Sequence, residues 1–218
     1  MPKRGRNGVE TVTRCGAAFP GSLAPGTHRG VSEFEGICAT MKRAASALRE
    51  AGVPFLLAGG LAAWARGGPS SDHDVDFLVR PDDVEAAAET LAAAGFRIER
   101  PPEGWLVKAY DGDVLVDLIF EPTTGPVTEE LLERGEEREV LATPMRVMAL
   151  EDVMVTKLLA LGETHLDLSG PLEIARPVRE QIDWDEVRRR TDGSPYARAF
   201  FTLVEELGVV EPTGTGIG

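Results

Sequence analysis

An acidic side chain in the middle of the apolar run Val114-Leu115-Val116-Asp117-Leu118-Ile119-Phe120 constrains this chain more than any other feature. The run reads as a strand, and a lone charge inside it costs several kcal/mol unless it is partnered or protonated. The fold must therefore bring company to Asp117, which makes it a functional candidate. Upstream stands a second acidic pattern, Asp74-Val75-Asp76-Phe77. Alternate side chains of a strand share a face, so Asp74 and Asp76 project together, about 6.6 to 6.8 Å apart along the chain, while Val75 and Phe77 enter the core. Two adjacent anions in a partly buried place are stable chiefly with a cation between them, and hard oxygen ligands favour Mg²⁺ or Mn²⁺. The plainer alternative is an edge strand with a solvated polar face.

Gly59-Gly60 follows the short apolar run VPFLLA at 53–58 and precedes LAAWAR, a brief predicted helix. Backbone free of side chains between a strand and a helix lets N–H groups approach a phosphate at the positive helix end. Tight packing of helix on strand accounts for the glycines equally well. Ser70 and Ser71, in the loop before Asp74, would add hydroxyl donors.

The periodicities around these motifs predict a mixed sheet followed by helices. Phe34, Ile37, Cys38, Met41, Ala45 and Leu48 fall at helical spacing, with Ser32 and Glu35 placed as a capping box and Gly52 as the stop. Pro81 opens a helix whose face is Val84, Ala87, Ala88, Leu91 and Ala92, closed by Gly95. Strands are expected at 96–100, 105–110 and 114–120, the last two joined at Asp111-Gly112-Asp113. Beyond Pro122 the pattern turns helical, with helices expected at 150–161, 171–182, 184–190 and 195–207. The expected divisions are a flexible glycine- and proline-rich tail over 1–31, a catalytic domain over 32–145 and a helical region over 146–210.

Composition narrows the function classes. The chain has 218 residues, 43% of them hydrophobic, enough for one sizeable core. Its formal net charge is −13, and only the stretch through Asp72 is basic, with nine Lys and Arg against five acids. An acidic body argues against a broad nucleic-acid face. The basic cluster Arg176, Arg179, Arg188, Arg189 and Arg190 is interleaved with acids and reads as an ion-paired helix surface. Cys15 and Cys38 form neither a zinc motif nor a disulfide framework, so a reducing cytoplasm is expected. No apolar run reaches the roughly 18 residues of a membrane span, and no apolar segment follows the basic start to make a secretory signal. Trp64, Trp105 and Trp184 read as core or groove-wall aromatics.

Taken together, Gly59-Gly60, the spacer, Asp74-Val75-Asp76-Phe77 and Val116-Asp117-Leu118 resemble the three-part signature of the DNA polymerase beta-like nucleotidyltransferase superfamily, especially its minimal nucleotidyltransferases and AbiEii-like toxins. The resemblance spans about residues 32 to 161 and implies an α+β (α/β) fold: a mixed twisted sheet flanked by helices, with a C-terminal helical region. It implies that Gly59, Gly60 and Ser70 or Ser71 hold the triphosphate. Asp74 and Asp76 would bind two Mg²⁺ ions, and Asp117 would join one metal and help deprotonate the attacking hydroxyl. Metals about 3.5 to 4 Å apart suit that chemistry. Lys157, in a helix like one that follows the catalytic sheet of these families, would contact the phosphates, or else snorkels to solvent from an amphipathic helix. Relatives often carry Arg and Thr before the first aspartate, where this chain has Ser70-Ser71-Asp72-His73.

The expected activity is transfer of a nucleoside monophosphate from an NTP, such as ATP, to an acceptor hydroxyl with release of pyrophosphate. The resemblance to toxins implies a tRNA 3′ end as acceptor and an antitoxin partner in a toxin-antitoxin pair. A small hydroxylated molecule of aminoglycoside type, whose cationic character suits an acidic cleft, and a protein hydroxyl are the alternatives. A non-catalytic nucleotide-binding regulatory domain is the reading from a different class.

Overall fold

The computed structural model describes residues 11–12, 27–70 and 74–212. Along the chain these form β1 (Thr11–Val12), α1 (Thr27–Glu50), β2 (Leu56–Leu57), α2 (Gly59–Ala65), β3 (Asp74–Leu78), α3 (Val84–Ala93), β4 (Arg97–Glu99), β5 (Leu106–Asp111) and β6 (Val114–Ile119). There follow α4 (Glu129–Arg134), β7 (Glu136–Val140), β8 (Thr143–Val147), α5 (Leu150–Leu159), α6 (Ser169–Val178), α7 (Trp184–Thr191) and α8 (Pro195–Glu206). The strands make one mixed eight-stranded sheet in the order β1-β7-β8-β2-β3-β6-β5-β4. At its centre β3 lies parallel to β6 and antiparallel to β2, and β2 in turn lies parallel to β8.

The core follows from the period-two pattern. Val75, Phe77, Val116, Leu118, Val107 and Ala109 are buried, and they alternate with the residues of the opposite face. Helix α1 packs against β3 and β6, and α3 against β5 and β6. Met41, Ala44, Ala45 and Leu48 form the buried stripe of α1, the spacing expected of an amphipathic helix. Helix α1 begins at Thr27, so Ser32 lies inside it rather than at its N-cap. The apolar stripe begins only at Phe34, and periodicity cannot register polar turns upstream of it. The rest of the stretch expected as a tail, residues 1–10 and 13–26, lies outside the described residues, as does 213–218.

The expectation that everything past Pro122 is helical is corrected by β7 and β8, which pair antiparallel from Glu136↔Val147 to Val140↔Thr143. Glu136-Glu137-Arg138-Glu139 carries no apolar alternation, and Leu141-Ala142 contains none of the usual turn residues. Yet Leu141 and Ala142 adopt φ of 51° and 62°, a two-residue turn of the kind that suits the strand twist. Three side chains of β8, Thr143, Met145 and Val147, point into the core. The C-terminal helices pack on α5, and their buried residues belong to the same hydrophobic core as the sheet. Pro177 lies one residue before the end of α6, whose chain passes into a single 3₁₀ turn over Arg179–Gln181.

Candidate active site

Parallel pairing of β3 with β6 sets Asp76 opposite Asp117. Directly opposed residues of neighbouring strands share a face, so the Asp74–Asp76 face of β3 also carries Asp117. Carboxylate oxygens of Asp74, Asp76 and Asp117 all lie within 4.8 Å of one another. Asp117 is 8% exposed. Its Oδ1 is buried with no hydrogen-bond partner, and Lys108 Nζ on β5 stands 3.6 Å away.

The electrostatics follow from this crowding. Burial, then the charges of Asp74 and Asp117, push the Asp76 carboxyl up to about 7, with Lys157 and Lys108 acting against the rise. Burial likewise holds Asp117 above the usual aspartate range, opposed by Lys108 and reinforced by Asp74. Three carboxylates this close are mutually destabilising when ionised, and hard oxygen donors around an orphaned buried oxygen fit a divalent cation.

The backbone before β3 is built against the same cluster. Ala58 N–H donates to the Asp76 carbonyl at 2.9 Å, and Gly59 follows with φ of 59°. A Cβ at Gly59 would stand 1.8 Å from Asp76 Oδ2. Glycine is required there both by the left-handed backbone and by the close approach of the carboxylate. Gly59 and Gly60 form the first turn of α2 instead of preceding it. Lys157, on α5, is half-buried and its charge reaches Asp76. Ser70 is exposed on the loop between α2 and β3. Ser71, Asp72 and His73 lie outside the described residues.

Lys108 was not among the residues expected at the site, although the hairpin contained the signal. With Asp111 paired to Val114, the register places Lys108 opposite Asp117, and a two-residue turn at Gly112-Asp113 implies that pairing. Two more charged residues were missed because their roles are structural. The Arg66 guanidinium is buried and donates to the carbonyls of Met148 and Val147 at 2.8 and 2.9 Å and to Glu136 at 3.1 Å. Asp152, 2% exposed, accepts from Arg134 at 3.0 and 3.2 Å and from Arg190 at 2.6 Å. Among the tryptophans, Trp64 meets Phe34 edge-on and Trp184 donates to the Arg179 carbonyl, whereas Trp105 is 40% exposed.

Residues 34–205 match the model of a family described as uncharacterised nucleotidyltransferase. The chain belongs to this nucleotidyltransferase family. The nucleotidyltransferase shares its fold with the antibiotic-resistance factor ANT(2'')-Ia, whose solution structure aligns over 78% of this chain and 96% of that one at 17% identity and a TM-score of 0.55. A crystal structure of ANT(2'')-Ia in complex with adenylyl-2''-tobramycin aligns over 78% and 96% at 15% identity with a TM-score of 0.45. An apo tRNA-processing enzyme aligns over 80% of this chain and 48% of that one, at 15% identity and a TM-score of 0.38. No curated protein matches the nucleotidyltransferase. Among its described residues no helix is long and apolar enough to cross a membrane.

Proposed function

We propose that this enzyme transfers a nucleoside monophosphate from an NTP to the hydroxyl of an acceptor and releases pyrophosphate, with Asp74, Asp76 and Asp117 as its divalent-metal ligands. The observation that carries the reading is the convergence of these three carboxylates, one of them with a buried, unbonded oxygen. Bound there, Mg²⁺ or Mn²⁺, as one ion or a pair, would supply charge to lower the acceptor hydroxyl's pKa and to neutralise the leaving pyrophosphate.

The chain's own groups take the remaining roles. Asp117, beside the metal, would accept the proton of the attacking hydroxyl. The new bond joins the acceptor oxygen to the α-phosphorus as the bond from that phosphorus to the pyrophosphate oxygen breaks. The backbone N–H groups of Gly59 and Gly60, with the Ser70 hydroxyl, would hold the triphosphate, and Lys157 would offer it a flexible-stemmed ammonium.

For the acceptor, charge favours a small cationic hydroxylated molecule over RNA. The net charge is −13. Four arginines of the basic cluster are committed to acids: Arg179 to Glu180, Arg188 to Glu205, Arg189 to Glu186 and Arg190 to Asp152. Little free positive charge is left there for a phosphate backbone. The test incubates the protein with each α-labelled NTP and Mg²⁺ against an aminoglycoside panel, total tRNA, or no added acceptor. Label in an aminoglycoside supports the favoured acceptor. Label in tRNA selects the RNA 3′ end and the toxin-antitoxin reading, and label in the protein selects protein modification. NTP binding without transfer to any acceptor overturns the catalytic reading in favour of a regulatory domain.

A further inference from the structure

We propose that Lys108 is the resident counter-ion of the acidic site: its ammonium holds the Asp117 carboxylate in the metal-free protein, and an incoming divalent cation must displace it. Lys108 is then a positioning residue that sets how tightly the site takes metal. The inference rests on the metal reading of Asp74, Asp76 and Asp117 given above.

Three observations converge on it. The β5–β6 register fixes the backbone of Lys108 opposite Asp117, so its side chain starts beside the carboxylate row. Its other cross-strand neighbour, Glu99, is already engaged by Arg97 at 3.2 Å, and Arg97 also stacks on Tyr110 at 4.0 Å. The pairing is nevertheless loose. The 3.6 Å separation is beyond a proper hydrogen bond, and Asp117 Oδ1 is left without one.

A structural ion pair would look different, as Asp152 shows on its two arginines at 2.6 to 3.2 Å. Lys108 attracts without saturating the oxygen. Its side chain is 28% exposed against 11% for Asp117, so a flexible stem lets the ammonium withdraw to water when a doubly charged ion arrives. Ammonium and metal repel across the same oxygen, so metal uptake is weakened by the lysine.

The test is Mn²⁺ titration of the full chain, reading free Mn²⁺ by electron paramagnetic resonance, for the parent protein, K108M, K108R and D117N. Removing one positive charge a few ångströms from the ion is expected to tighten Mn²⁺ binding about tenfold in K108M. K108R should return the affinity to the parental value or below, and D117N should lose most of the binding. Damage to the fold weakens metal binding and does not tighten it, so a gain in K108M is not a structural artefact. Unchanged or weaker binding by K108M, with D117N still impaired, overturns the role of Lys108 and leaves the metal reading standing. Absence of Mn²⁺ uptake by the parent protein overturns both.

Discussion

At the scale of single residues, Asp76 feels the crowding of the site most directly, with burial, then Asp74 and Asp117, raising its pKa. Its carboxyl is raised to about 7 in the folded chain by burial and by Asp74 and Asp117. Between the ordinary value of 3.8 and that raised value the unfolded chain has already released a proton that the folded one keeps. Stability of the metal-free protein therefore falls as pH climbs through this window and levels off above it. Thermal melts from pH 4 to 8 in a chelator should show the decline, and Asp76→Asn should flatten it while adding on the order of 2 kcal/mol at neutral pH. The same substitution, like Asp74→Asn and Asp117→Asn, should cut kcat at least about a hundredfold. Near-normal turnover in any of the three would remove that residue from the chemistry. Gly59→Ala brings a Cβ to 1.8 Å from Asp76 Oδ2 in a left-handed backbone. It should cost roughly 1 to 3 kcal/mol in urea unfolding and depress activity through the displaced carboxylate. These carboxylates are legible in the sequence alone, because charge in an apolar strand is expensive enough to demand a reason. Lys108 was overlooked because a lysine in a half-exposed strand raises no such alarm.

Among the elements, the β7–β8 hairpin and the buried charges around α5 set the precision of the molecule. Leu141 and Ala142 hold positive φ without a glycine or asparagine, a strain of order 1 kcal/mol per residue. Ala142→Gly, at the exposed position of the turn, should therefore raise stability by about 1 kcal/mol, read as a higher urea midpoint with an unchanged slope. Asp152 lies under Arg134 of α4 and Arg190 of α7, so one carboxylate fastens three helices. Asp152→Ala removes the carboxylate that both guanidinium groups share and should cost about 2 to 3 kcal/mol, more than removing a surface pair. Helix periods were readable for α1, α3 and the C-terminal helices because each buries a stripe. The hairpin was unreadable because one of its strands presents glutamates and an arginine, and its turn uses residues that rarely turn.

For the whole molecule, the proposed metal site would couple ion binding to folding. Any ion that binds the folded trio and not the unfolded chain stabilises by mass action, about 2.7 kcal/mol at a hundred times its dissociation constant. Saturating Mg²⁺ or Mn²⁺ should accordingly raise the melting temperature of the parent protein and leave that of Asp117→Asn nearly unchanged. A chelator should reverse the shift. The sequence by itself determined the mixed sheet, the trailing helices and the two acidic motifs, since alternation, helical period and the expense of a buried charge are local properties. Only the tertiary structure decided that β3 and β6 lie side by side in a register setting Asp76 against Asp117, and that the buried Arg66 and Asp152 find their partners. Those pairings join residues 18 to 82 positions apart, and strand order with its register is a property of the assembled sheet that no single segment carries.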